Sequence, residues 1–115
     1  MVAVADTVKH LRRLERSRQD EAARRRRLVE TALPRAREIL VRHGAEVVLV
    51  FGSIATGSVT PDCDLDLATS GLPSSGYFPA LGALMTELPV AVDLVRLEEA
   101  PCALRERIAG EGREL

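Results

Sequence analysis

The stretch from Val47 to Leu67, VVLVFGSIATGSVTPDCDLDL, constrains this chain more than any other part of it. Val47 to Phe51 is a continuous β-branched apolar run, which predicts a short strand buried on both faces. Gly52-Ser53 ends that run. After ten further residues, Asp64-Leu65-Asp66-Leu67 opens a second apolar run. Side chains alternate along a strand, so Asp64 and Asp66 fall on one face while Leu65 and Leu67 fall on the other.

Two carboxylates placed side by side are poor structural neighbours. At ~4 Å and an effective dielectric near 20, two unit charges repel by about 4 kcal/mol, and an unliganded pair is expected to raise the pKa of one member. A divalent cation removes the conflict, and Mg²⁺ is usually held by one or two carboxylates together with substrate phosphates. The glycine and serine at the end of the first strand complement such a site. Gly52 lets a phosphate approach the backbone, and the Ser53 hydroxyl and amide can donate to it. A third acid, Asp93, lies in the middle of a later apolar run, VAVDLV from Val90 to Val95. The competing reading makes Asp64 and Asp66 an acidic sheet edge and Asp93 a paired strand residue. Against it, all three acids sit next to or within apolar runs.

These residues carry a resemblance. Gly52-Ser53, ten intervening residues, Asp64-x-Asp66 and then Asp93 on a later strand resemble the signature of the DNA polymerase β-like nucleotidyltransferase superfamily, over roughly Val41 to Val95. Three parts in the right order and spacing are more specific than one short motif. The resemblance implies a nucleotidyltransferase fold: a small mixed sheet backed by helices, of α/β or α+β class. It implies that Asp64, Asp66 and Asp93 are catalytic and hold two Mg²⁺ ions, with Gly52 and Ser53 binding the phosphates of ATP. Relatives often carry Arg or Lys near the positions of Ile54 and Thr56. This chain has neither, which leaves Arg96 and Arg107 as replacements. Cys63 stands where serine is common.

The chain stops about twenty residues after Asp93, without the helical domain that larger members of the superfamily append. In this it resembles the minimal nucleotidyltransferases, MntA-type antitoxins that act beside a helical HEPN partner. That resemblance implies transfer of AMP to a tyrosine of the HEPN toxin. Two other functions stay open: a binding module that neutralises its partner by contact, and an antibiotic nucleotidyltransferase, which the missing acceptor domain opposes.

A chain of 115 residues is most simply one domain; residues 1-33 are expected as an N-terminal helical extension and 34-115 as the catalytic core. Aromatic content of 3% requires an aliphatic core, and a net charge of -1 gives no reason to expect nucleic acid or an anionic membrane as partner. No stretch has the length of a membrane span or the form of a signal peptide, so a cytoplasmic location is expected. Cys63 and Cys102 have no metal-ligand spacing and are expected as reduced thiols.

Asp6 to about Arg27 favours helix, with Asp6 or Thr7 as cap. Val4, Val8, Leu11, Ala22, Val29 and Ala32 make a thin apolar stripe interrupted by Glu15, Arg18 and Arg25. That helix is a candidate contact surface for the partner or for a second copy of the chain. Arg24 to Arg27 point around the whole helix and read as a solvated face, with RNA or an acidic partner as the alternative. Pro34 predicts a kink or a break before a second helix that ends at His43-Gly44. His43 and His10 read as helix residues rather than ligands. A short helix is expected after Ser53, a loop over Thr69 to Pro79, and a helix over Phe78 to Leu88 with Leu81, Leu84, Met85 and Leu88 in the core. Tyr77 reads as a surface or packing residue. The last helix is expected over Glu98 to Ile108, with Pro101 in its first turn and Gly110 or Gly112 ending it.

Overall fold

The computed structural model describes residues 3–115, so Met1 and Val2, which open the expected extension, lie outside the described residues. A single helix, α1, runs from Val4 to Arg42 without a break at Pro34. Proline there removes the amide that would bond the Glu30 carbonyl, yet Leu33 and Ala36 on either side of it are buried. Packing of the helix face outweighs the local penalty. Neither Asp6 nor Thr7 caps the helix. It begins earlier, at Ala3, with no side-chain cap bond, and Asp6 instead places its charge in the first turn, where the helix dipole favours it. At the far end, His43 sets its Nδ1 2.7 Å from the Ile39 carbonyl, and Gly44 takes a φ of 112° that ends the helix.

Among the described residues, the buried side chains of α1 all lie in its second half. Val29, Ala32, Leu33, Ala36, Ile39 and Leu40 are buried, whereas Val4 and Leu11 are 80% and 58% exposed and Leu14 is exposed as well. Thirty-nine residues at ~1.5 Å each span roughly 58 Å, which accounts for the 63 Å long axis of the molecule.

Strands β1 (Val47–Phe51), β2 (Leu65–Ser70), β3 (Val92–Arg96) and β4 (Arg113–Glu114) form one mixed sheet in the order β3-β2-β1-β4. β1 pairs antiparallel with β2 and β4, and β2 pairs parallel with β3. The parallel pair needs a crossover, and it is supplied by a loop, a 3-10 turn at Ser74–Gly76 and helix α3 (Tyr77–Glu87). A four-residue helix, α2 (Ser53–Thr56), follows β1, and α4 (Cys102–Glu111) follows β3.

Alternation along the strands sorts the side chains into two layers. On one face Val48, Val50, Leu65, Leu67 and Leu94 join α1 and α3 in the main core. On the other, Phe51 and Ala68 meet Ile108 of α4 in a smaller cluster flanked by Leu49, Val95 and Leu104. The cores are aliphatic apart from Phe51 and the partly buried Tyr77. Across the first layer Arg35 and Arg42 both pair with Glu87, and the Arg35 hydrogen bond is the main reason the Glu87 carboxyl lies below its ordinary value.

Several boundaries differ from the sequence expectation. Strand β2 extends to Ser70 and α3 starts at Tyr77, so the expected loop of Thr69 to Pro79 shrinks to residues 71–76. The buried row of α3 is Ala80, Leu84 and the following Leu88, and Met85 is 64% exposed rather than in the core. Tyr77 is a packing residue whose hydroxyl donates to the Leu94 carbonyl at 2.8 Å. The last helix begins at Cys102, after Pro101, because Glu98 and Glu99 turn back to pair with Arg96; it ends at Gly112, with Gly110 inside it. Strand β4 adds to the elements expected from the sequence. Two exposed residues carry no periodic signal, and their pairing is decided by the sheet edge they meet. Both cysteines are free thiols. No helix among the described residues is long and apolar enough to cross a membrane.

Replacing Pro34 by Ala restores a helical donor at a site where the helix is already continuous. The variant is expected to be more stable by about 1–3 kcal/mol, measured as a higher urea midpoint with an unchanged slope.

Candidate active site

The register of the sheet sets two of the three acids side by side, with the third just outside the strand. Asp66 in β2 stands directly opposite Asp93 in β3, and Phe51 at the end of β1 is the partner of Asp66 on its other side. By alternation Asp66 and Asp93 share the face with Phe51 and Ala68, the one that α4 covers in part. Asp64 lies just before β2, exposed, at the entrance to the same strand.

Asp66 is the half-buried member of the group. Burial is the main cause that pushes its carboxyl above the ordinary value, the Asp93 charge comes next, and Asp64 and Glu111 add smaller repulsions. Arg107 opposes them. The conflict foreseen between neighbouring carboxylates is therefore present, but its stronger partner is Asp93 across the ladder rather than Asp64 on the same strand.

Gly52 shows why this position carries no side chain. Its φ of 71° and ψ of -150° belong to a region that is essentially reserved for glycine. A Cβ there would lie 2.2 Å from Oδ2 of Asp66. What approaches the Gly52 backbone is thus the Asp66 carboxylate. The Gly52 amide also has a partner within the chain: it donates to Oε1 of Glu111, at the end of α4, at 3.0 Å. The same oxygen accepts from Nε of Arg107 at 3.0 Å, and the Arg107 guanidinium stacks 5.9 Å from the centre of the Phe51 ring.

The turn that follows is held by local bonds. The Thr56 hydroxyl donates to the Gly52 carbonyl at 3.1 Å, and Ile54 is buried in the main core. Ser53 opens α2, half-buried, and its hydroxyl makes no internal hydrogen bond among the described residues. Cys63 packs against the main core. Of the two arginines left as replacements, Arg96 is committed elsewhere: it is 11% exposed, donates to the Leu72 carbonyl at 2.9 Å and pairs with Glu98 and Glu99. Arg107 is the one beside the acids.

Glu111 did not stand out in the sequence. One signal was available: a carboxylate in the last turn of a helix opposes the helix dipole, and here it sits four residues after Arg107, where an ion pair forms.

The donor set of Asp64, Asp66 and Asp93 is all carboxylate oxygen, the chemistry a hard divalent cation prefers, and the raised Asp66 is what such a cation would relieve. As the side chains stand, no three His, Cys, Asp or Glu among the described residues converge closely enough to hold an ion. The site is an open sheet face. A groove of about 390 Å³ between α1 and α3, lined by Arg24, Leu28, Thr31, Arg35 and Glu87 among others, lies on the other layer and contains none of these acids.

Two substitutions test this geometry. Gly52→Ala is expected to cost about 1–3 kcal/mol from the backbone conformation alone, before the displacement of Asp66, read as a lower denaturation midpoint. Asp66 binds its proton more tightly in the folded protein than in the unfolded chain, so its ionisation opposes folding at neutral pH and the opposition fades as pH falls through the folded-state value. Metal-free Asp66→Asn should therefore melt above the native protein at pH 7. That gap should close on acidification, as followed by thermal melts across pH.

The family described as Polymerase beta, Nucleotidyltransferase matches residues 35–115. No curated protein matches this chain. Among solved structures, the chain is similar to a protein proposed to be a minimal nucleotidyltransferase, with 36% identity and a TM-score of 0.63 over 75% of this chain and 94% of that one. It shares its fold with a chain of a toxin–antitoxin crystal structure with AMP-PNP, at 23% identity and a TM-score of 0.60, covering 67% of this chain and 66% of that one. It also shares its fold with a chain from a complex of the tri-AMPylated Shewanella oneidensis HEPN toxin with an MNT antitoxin, at 22% identity and a TM-score of 0.54, covering 77% and 70%. The match over residues 35–115 takes in β1, Gly52, Ser53, all three acids and α4. That match spans well over half of the chain, and the mixed sheet is consistent with the fold, so the chain belongs to the polymerase β nucleotidyltransferase family.

Proposed function

We propose that this chain is the antitoxin of a toxin–antitoxin pair and that it transfers AMP from ATP to a tyrosine hydroxyl of a HEPN-type partner in the cytoplasm. The observation that carries the reading is the pairing of Asp66 with Asp93 beside Gly52, with Asp64 at the strand entrance. Support for the substrate and the partner comes from the structural neighbours, one described with AMP-PNP and one as a complex with a tri-AMPylated HEPN toxin.

On this reading Asp64, Asp66 and Asp93 would hold two Mg²⁺ ions, which supply charge neutralisation on the triphosphate and a lowered acceptor pKa. Gly52 and Ser53 orient the β- and γ-phosphates. Asp93, the exposed acid on the outer strand, faces the side from which an acceptor arrives and takes the proton from its hydroxyl. The acceptor oxygen forms its bond to the α-phosphorus as the bond to the bridging oxygen breaks and pyrophosphate departs. The open face leaves room for the acceptor to come from another protein. The projecting half of α1, with Val4, Val8, Leu11 and Leu14 exposed, supplies a contact surface for that partner, as residues 1-33 would if they form an extension to a core of 34-115.

A second reading has its own support. Glu111 already bonds the Gly52 amide, and Ile54 and Thr56 present no basic side chain, which favours an antitoxin that neutralises its partner by contact without turnover.

Calorimetric titration of MgATP into the native protein and into Asp64→Asn/Asp66→Asn separates the two. Transfer requires binding by the native protein, at least tenfold weaker binding by the variant, and incorporation of α-labelled ATP into a HEPN partner that the variant abolishes. Equal binding by both proteins, or neutralisation that survives the double substitution unchanged, favours contact alone.

A further inference from the structure

The oxygen Oε1 of Glu111 accepts at once from the backbone amide of Gly52 and from the guanidinium of Arg107, both at 3.0 Å. A backbone amide at a glycine turn and an arginine on the same anionic oxygen form the donor pair that commonly holds a phosphate oxygen. The Glu111 side chain is 23% exposed and that of Arg107 is 58% exposed. The carboxylate therefore occupies a half-enclosed place whose arginine wall opens to solvent. Gly52 itself is buried, so its amide must keep some acceptor.

We infer that the Glu111 carboxylate stands in for a phosphate of the nucleotide, and that Arg107 is the phosphate-binding residue this site uses in place of basic residues at positions 54 and 56. The inference rests on the reading of this face as a nucleotide site. The other candidate, Arg96, is held by Leu72, Glu98 and Glu99 and stays out of reach. Among the described residues Arg107 is tied through Glu111 and the Phe51 ring, on the same sheet face as Asp66 and Asp93. A phosphate oxygen arriving at Gly52 takes over both donors, and the displaced Glu111 turns to solvent from the last turn of α4. Its departure also removes one of the negative charges that act on Asp66. Nucleotide and Glu111 thus compete for one pair of donors, so nucleotide affinity is set partly from inside the chain.

The test uses the full chain with inorganic tripolyphosphate and, separately, MgATP, followed by calorimetry and by the Gly52 amide resonance in ¹⁵N-labelled protein. Glu111→Gln keeps the shape and the acceptor and removes the charge. Arg107→Met keeps the packing stem over Phe51 and removes the donor. The inference predicts that tripolyphosphate shifts the Gly52 amide, that Glu111→Gln binds it about threefold to tenfold more tightly, and that Arg107→Met binds it about tenfold more weakly, a change of ~1.4 kcal/mol. Melting temperatures of the variants check that both remain folded. Weaker binding by Glu111→Gln with the fold intact would make Glu111 a strut that shapes the turn and would overturn the inference, as would native-like binding by Arg107→Met. If MgATP binds the native protein while both variants match it, only this inference fails. If neither ligand binds the native protein or Glu111→Gln, the nucleotide reading fails with it.

Discussion

Asp66 lies against the bare backbone of Gly52 on one side and opposite Asp93 on the other, and the rest of the molecule serves to keep it there. A half-buried carboxylate beside a second carboxylate works against folding, as its raised pKa records. The register that creates the contact is held by apolar residues one position away. Leu65 and Leu67 on β2 and Leu94 on β3 are buried on the opposite face, and slipping β3 by one residue would turn Leu94 outward and Asp93 into the core. Burial of those leucines, each worth roughly 1.5–3 kcal/mol, outweighs the repulsion and fixes the acids as neighbours.

The same two-layer arrangement explains why α4 and β4 matter to a site that neither was expected to touch. Ile108 plugs α4 onto Phe51 and Ala68, and β4 then pairs with Leu49 and Val50 at the sheet edge. Between these two anchors lies Glu111, delivered to the Gly52 amide. The chain end is further tied by Arg113 to Glu30 and by Arg37 to the Leu115 carbonyl. These exposed bonds add little stability, but they bring the last strand back against α1.

Helix α1 obeys two different constraints along its length. From Val29 onward it is a core helix, and the burial of its apolar face carries it through Pro34. Before that it is a charged helix with a narrow row of exposed apolar residues, and within the arginine run Arg25 donates to the Pro61 carbonyl. The thin stripe visible in the sequence marks a helix whose first half, among the described residues, buries no apolar side chain.

The sequence by itself determined the parts that rest on local pattern: β1 from its unbroken apolar run, the Gly52-Ser53 turn, the alternation that puts Asp66 opposite in sense to Leu65 and Leu67, and the helix end at His43-Gly44. It also placed Asp93 on a later strand, as the third acid beside Asp64 and Asp66. Tertiary structure decided what depends on residues far apart in the chain. Whether Pro34 breaks a helix, whether Met85 faces in or out, and whether Arg113 and Glu114 pair are settled by the surfaces they meet, because the local preferences are too weak or too short to decide. The repulsion on Asp66 comes mainly from burial and from Asp93, since the parallel register of β2 and β3 sets that distance and no spacing along the chain encodes it. The Glu111 contact to Gly52 is of the same kind: it joins residues 59 positions apart, and only the packing of Ile108 against Phe51 brings them together.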